Sequence, residues 1–180
     1  SIHNVYFDNG VSVPVATEAI YLGSKLTAAG NQQAEIKNRI SVTLVTLKKL
    51  NNFWTKGRAP ISWKLRVYDA VIVSKLLYGL EVLSLTEADR KKLDAFQIRG
   101  LRKLLGIKHS FWSRVTNQTV MAQANLRARL PPDKIIVKIS NRLTRRQLTL
   151  FGHLLRAAPG DTLKDCLVTP LGNRVAATFR

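Results

Sequence analysis

In the stretch LDAFQIRGLRKLLGI, Leu93, Phe96, Gly100 and Leu104 recur at the spacing of one helical face, and Ile98, Leu101 and Leu105 widen it. At about 100° per residue, Lys91, Lys92, Arg99, Arg102 and Lys103 gather within about 120° of arc on the opposite side. Nothing acidic lies among them. The stretch reads as a helix with one core face and one cationic face. Thr86 with Asp89 three residues later is a capping-box-like start, and Gly106 stands where a helix end commonly takes a left-handed residue.

The same reasoning partitions the rest of the chain. NVYFDNGVSVPV alternates β-prone residues around Asn9-Gly10, a strong hairpin signal, with strands expected at about 5–7 and 11–15. AIYLGSKLT is another short β-prone run, closed by AAGN. Residues 1–30 are therefore expected to form one small antiparallel sheet. From Asn31, a candidate N-cap, Ile36, Ile40, Leu44, Leu47 and Leu50 follow helical spacing. NFWTKGRAP breaks that helix. Ser62 can cap the next, SWKLRVYDAVIVSKLLYGLEVL, whose apolar circumference marks it as central and buried.

A shorter helix is expected at about 115–124, ended by RLPPD. Pro132 then suits the first turn of a last helix that carries Ile135, Ile139, Leu143, Leu150 and Leu154, with Lys138, Arg142, Arg145 and Arg146 on its polar sides. The pattern predicts a mostly α (α+β) fold. Its parts are a β element over 1–30, a helical domain over 31–130, and a basic helix with a C-terminal tail over 131–180.

Charge changes the picture more than composition does. Apolar residues at 46% and charged residues at 22% are ordinary for a folded chain. Lys and Arg, however, number 29 against 11 Asp and Glu, a formal net charge of +18. Self-repulsion of that size favours a polyanionic partner, nucleic acid before a membrane surface, since no stretch approaches the roughly 20 apolar residues of a spanning helix. One cysteine, Cys166, excludes an internal disulfide, and no Cys/His spacing suits a metal. The chain is expected to be intracellular and free of metal and cofactor. It starts at Ser1 with no signal-peptide pattern, as a processed protein or a piece of a longer one would.

Catalytic motifs are not found. Glu87, Asp89 and Asp94 are expected as helix-terminus and surface charges, and Asp69 and Glu81 as partners in a buried ion pair or hydrogen bond. His3, His109 and His153 have no partner at ligand spacing, and no glycine-rich loop precedes a lysine. No enzyme is expected. A single charged helix face is usually only solvated, but three helices repeat the arrangement: Lys37, Arg39, Lys48 and Lys49 on the first, Lys91 to Lys103 on the third, Lys138 to Arg146 on the last. Aromatics are interleaved, with Phe53 and Trp54 beside Lys56 and Arg58, Trp63 beside Lys64, and Phe111 and Trp112 among Lys108, His109 and Arg114. Such residues either stack on unpaired bases or anchor the core.

In order and spacing, EAIYLGSKLTAAGNQQAEIKNRI, then SWKLRVYDAVIVSKLLYGLEVLSLTEADRKKLDAFQIRGLRKLLGI, then VTNQTV and RRQLTLFGHLLRA resemble the end of the palm, the thumb and the post-thumb region of non-LTR retrotransposon reverse transcriptases. The resemblance spans about 5–157. It implies a β element carrying YLG at Tyr21, Leu22 and Gly23, and a helical thumb that grips a template-primer duplex. In that picture Arg99, Arg102 and Lys103 face phosphate, YGLE at Tyr78 to Glu81 packs the thumb core, and GHLLR at Gly152 to Arg156 lies on the post-thumb helix. The family's aromatic after that glutamate is Leu83 here. Its fingers and metal-binding palm aspartates lie upstream, and nothing among these residues replaces them.

Three functions are consistent with the sequence. The chain is a retroelement-derived, non-catalytic RNA-binding subunit of a ribonucleoprotein such as a ribosome, alongside other proteins. Or it is a fragment of an active reverse transcriptase holding RNA·DNA duplex, or a helical protein-interaction module.

Overall fold

The structure, a computed structural model, describes residues 4–6, 8, 10–14, 16–21, 24–27 and 32–157. Strands β1 (Asn4–Tyr6) and β2 (Ser12–Pro14) pair antiparallel with Val5 opposite Val13. Strands β3 (Glu18–Tyr21) and β4 (Ser24–Thr27) pair with Ala19 opposite Leu26. Among the described residues the expected single sheet is thus corrected to two separate two-stranded ladders. Pro14 in β2 has no N–H to donate to a further strand, which disfavours continuing that ladder towards β3. Gly10 takes the positive φ (+78°) that the first hairpin's turn requires. Asn9, Leu22, Gly23, the candidate cap Asn31 and Cys166 lie outside the described residues.

Helix α1 (Gln32–Lys49) packs against β4 and buries Ile36, Thr43 and Leu47. Glu35 in its first turn and Lys48 and Lys49 in its last complement the helix dipole. The expected break holds a short helix, α2 (Asn51–Thr55), because Trp54 is a core residue, 1% exposed. Its indole Nε1–H donates to the Leu47 carbonyl (2.9 Å), and the buried Lys64 ammonium donates to the Trp54 carbonyl (2.8 Å), satisfying the helix end.

The apolar central segment is one continuous helical run that widens midway and ends earlier than expected, at Leu77 rather than Leu83. It runs as α3 (Ile61–Val67), a wider π-helical turn (Tyr68–Val73) and α4 (Ser74–Leu77). Pro60, not Ser62, occupies the N-cap position. Gly79 at φ +73° ends the run, and a 3₁₀ turn follows over Leu80–Val82. The expectation that this segment is central is met: Ile72, Val73, Leu76, Leu77 and Leu80 are all buried.

Helix α5 (Glu87–Leu105) has the expected ends. Thr86 caps it, accepting from the Asp89 N–H (3.2 Å) while its hydroxyl donates to the Asp89 carboxylate (2.6 Å), and Gly106 closes it at φ +69°. All seven residues of its expected apolar stripe are buried. After the four-residue α6 (Ser110–Ser113), helix α7 (Asn117–Ala128) starts at the Thr116 cap and runs past the expected end at 124, burying Val120, Ala124 and Ala128.

The last helix, α8 (Ile139–Arg156), begins later than expected. Pro132–Lys134 form a 3₁₀ turn, and Ile135 is exposed outside the helix. Two α5 side chains set the new start. Gln97 donates to the Val137 carbonyl (2.8 Å) and accepts from the Ile139 N–H (3.1 Å), and Asp94 accepts from the Ser140 N–H (2.9 Å) and hydroxyl (2.8 Å). Asp94 therefore caps a helix other than its own. One apolar cluster joins α1 to α5, α7 and α8, so α5 is the element against which the basic surfaces are built.

Candidate nucleic-acid interface

Helix α5 and the C-terminal half of α1 enclose a groove of about 620 Å³. Its floor is apolar, from Leu44, Leu47, Ala95, Ile98 and Ile107; the buried Arg102 also lines it, and its charged rim is Lys48, Arg99 and Lys103. No carboxylate lines it. Among the described residues these three cations make no ion pair. His109 and Ser110 from the start of α6 form the far wall. The folding of Gly106 and Ile107 back across the end of α5 thus sets residues remote in sequence beside one another.

Arg102 departs from the expected picture. It is 7% exposed, and its guanidinium is turned inward as a fork. One nitrogen donates to the Lys108 carbonyl (3.0 Å) and the Ser113 hydroxyl (3.3 Å), the other to the Val115 carbonyl (2.6 Å) and the Asn117 side-chain oxygen (3.3 Å). The expected phosphate-facing role is replaced by a structural one: Arg102 ties α6 and the start of α7 to α5. A buried guanidinium needs such a complete set of acceptors.

The remaining expected residues divide by neighbourhood. Arg142, Arg145 and Arg146 line a second cleft of about 1060 Å³ between α3, α5, α7 and α8, joined there by Arg66, Arg129 and Lys134, which periodicity did not single out. Arg142 is held by Asp69, whose second oxygen accepts from it at 3.3 Å. That pair is partly exposed rather than buried. Glu81 also differs from expectation, since one carboxylate oxygen is buried without a hydrogen-bond partner among the described residues. Lys92 pairs with Asp89 (2.9 Å) at the start of α5. Lys49, Lys56, Arg58, Lys91, Lys108, Arg114 and Lys138 are exposed and line neither cavity.

Two groups have perturbed acidity. Burial works against the ionised Asp89 carboxylate, but the Thr86 hydroxyl, the Lys92 ammonium and the Thr86 backbone contact outweigh it and hold the group below its ordinary 3.8. Burial, reinforced by the nearby Asp69 charge, pushes the Tyr68 phenol up.

Of the interleaved aromatics, Trp54 is core and Trp63 is exposed, while Phe111 and Trp112 stand out on α6. Within YGLE, Leu80 is buried, but Tyr78 is exposed beneath the Arg39 guanidinium, 5.0 Å from its ring. Among the described residues no helix is long and apolar enough to cross a membrane, and no group of three or more His, Cys, Asp and Glu side chains converges. No protein-family model, curated protein or solved structure matches the chain.

Proposed function

We propose that the protein is a non-catalytic RNA-binding subunit of a ribonucleoprotein, and that it grips the phosphate backbone of RNA, or of an RNA·DNA duplex, in the groove between α1 and α5. The observation that carries this reading is the rim itself. Lys48, Arg99 and Lys103 reach one acid-free groove from two helices and have no ion-pair partner among the described residues. Cations used only for solubility are ordinarily interspersed with acids. A convergent set without counter-charge is the footprint of a polyanion site. The sequence likeness to a reverse-transcriptase thumb supports the same grip and is the ground for proposing a retroelement origin. It equally supports a fragment of an active polymerase, in which this groove would hold the template-primer while chemistry occurs on another segment.

The protein-interaction reading draws on a different observation, the exposed Leu148, Phe151 and Leu155 along α8. Ultraviolet crosslinking to labelled structured RNA, followed by peptide mapping, separates the two. Adducts are expected on peptides from 93–117. Absence of adducts, or adducts confined to α8, would overturn the groove assignment.

A further inference from the structure

We propose that Phe111 and Trp112 form a platform on which an unpaired base stacks, so that the protein selects RNA in which a single-stranded nucleotide adjoins a duplex. This inference rests on the backbone-gripping groove and adds to it a preference that the groove alone does not have.

Two adjacent large aromatics are displayed, Trp112 at 75% and Phe111 at 62% exposure, although the same chain buries Trp54 to 1%. Leaving so much aromatic surface in water forgoes the stabilisation that burial would bring. The rings meet edge to face, with centroids 5.1 Å apart and planes at 89°, an arrangement that does not sandwich either ring against the other. The Arg114 guanidinium lies 5.7 Å from the Phe111 ring centre, adding a cation beside an aromatic face, as stacked bases favour.

The backbone that carries the display is tied down on both flanks. The Arg102 fork holds both flanks of α6 through Lys108, Ser113, Val115 and Asn117. The His109 ring caps α6 by accepting from the Phe111 N–H (3.3 Å). Arg114 ends it in the left-handed region at φ +55°, a conformation a non-glycine residue adopts only where its surroundings impose it. A platform fixed before binding loses little freedom when a base arrives.

Its position matches the groove. His109 and Ser110 are at once the start of α6 and a wall of the groove, so the groove ends on the residues that immediately precede the two rings in sequence. Between Ile107 and Thr116 every charged residue is cationic, which suits a nucleic acid. A paired base keeps its faces within the duplex, whereas an unpaired one offers a free face to the platform. Stacking one base changes affinity by roughly tenfold to a hundredfold.

The test uses the full chain and two RNAs with one identical duplex, blunt in the first and bearing a short single-stranded extension in the second. Fluorescence anisotropy is read at constant salt. The extended RNA is expected to bind at least tenfold tighter and to quench tryptophan emission in a Trp63→Phe background. In F111A/W112A the preference should vanish while affinity for the blunt duplex changes less than twofold. Equal affinity of the wild type for both RNAs, or a preference that survives in the double variant, overturns the platform and leaves the groove standing. If neither RNA binds, the groove reading falls with it. Binding of polyglutamate in place of both RNAs, lost in F111A/W112A, assigns the aromatic pair to an acidic protein partner and also overturns the proposal.

Discussion

Arg99 and Arg102 lie one turn apart on α5, yet the structure assigns them opposite duties, and replacing each by methionine separates those duties. Methionine keeps the aliphatic length and removes only the guanidinium. For Arg102 the loss is structural. Of its four hydrogen bonds, those to Val115 (2.6 Å) and Lys108 (3.0 Å) are well formed, and the two at 3.3 Å are weak. Bonds from a charged donor each contribute about 1.5–3 kcal/mol net. Removing the burial cost of the guanidinium gives part of this back. Arg102→Met should therefore destabilise the fold by about 2–4 kcal/mol, lowering Tm by about 5–15 °C for a chain of this size. Arg99 is exposed and makes no ion pair among the described residues, so Arg99→Met should stay within about 0.5 kcal/mol of the parent. Urea denaturation followed by circular dichroism gives both values. In RNA titrations Arg99→Met should flatten the salt slope by about one unit. Arg102→Met, assayed below its melting range, should leave the slope nearly unchanged. Equal stability of the two variants would refute the inward assignment of Arg102.

Two further outcomes are expected. A Cβ placed on Gly100 would stand 2.6 Å from Cε2 and 2.7 Å from Cζ of the buried Tyr68 ring, whose own space is limited by Trp54 at 6.3 Å. Gly100→Ala should thus cost about 2–3 kcal/mol of overpacking, less about 1 kcal/mol of helix propensity, a net loss of about 1–2 kcal/mol, and a variant as stable as the parent in urea would contradict that close approach. The Asp89 carboxyl sits below its ordinary 3.8 in the folded state, so its stabilisation is complete above about pH 5 and is lost as pH falls through the lowered folded value. The stability gap between wild type and Asp89→Asn should be level from about pH 5 to 8 and shrink towards pH 2; thermal melts across that range showing a constant gap would reject the cap as its source.

Much of this was legible in residue spacing because it depends on neighbours in sequence. The stripe from Leu93 to Leu105, the Thr86–Asp89 cap and the Gly106 end each involve residues within a turn or so of one another, and all are present. Arg102 was misread because it stands on the border of the two arcs, one turn from Ile98 and close to Leu105. What turns it inward is a set of acceptors at Lys108 to Asn117, beyond a chain reversal that periodicity does not register. The late start of α8 has the same cause, since Gln97 and Asp94 act across 40 or more positions on Val137, Ile139 and Ser140. The groove was half legible. Lys48, Arg99 and Lys103 were named from their own helices, but their convergence depends on how α1 crosses α5. Arg66, Arg129 and Lys134 escaped notice because none belongs to a helix face that spacing marks as cationic, and they converge only in the second cleft.

The salt dependence of RNA affinity tests the backbone grip most directly. Filter binding of a structured RNA at several salt concentrations is compared for the wild type and for the K48Q/R99Q/K103Q variant. If these three cations contact phosphates, log affinity should fall steeply with log salt in the wild type, and the slope should flatten by about two to three units in the variant as fewer counterions are released. The variant's Tm should lie within about 3 °C of the parent, since the altered side chains make no ion pairs among the described residues. A folded variant with the wild-type slope and affinity would contradict the assignment of the α1–α5 groove as the nucleic-acid site.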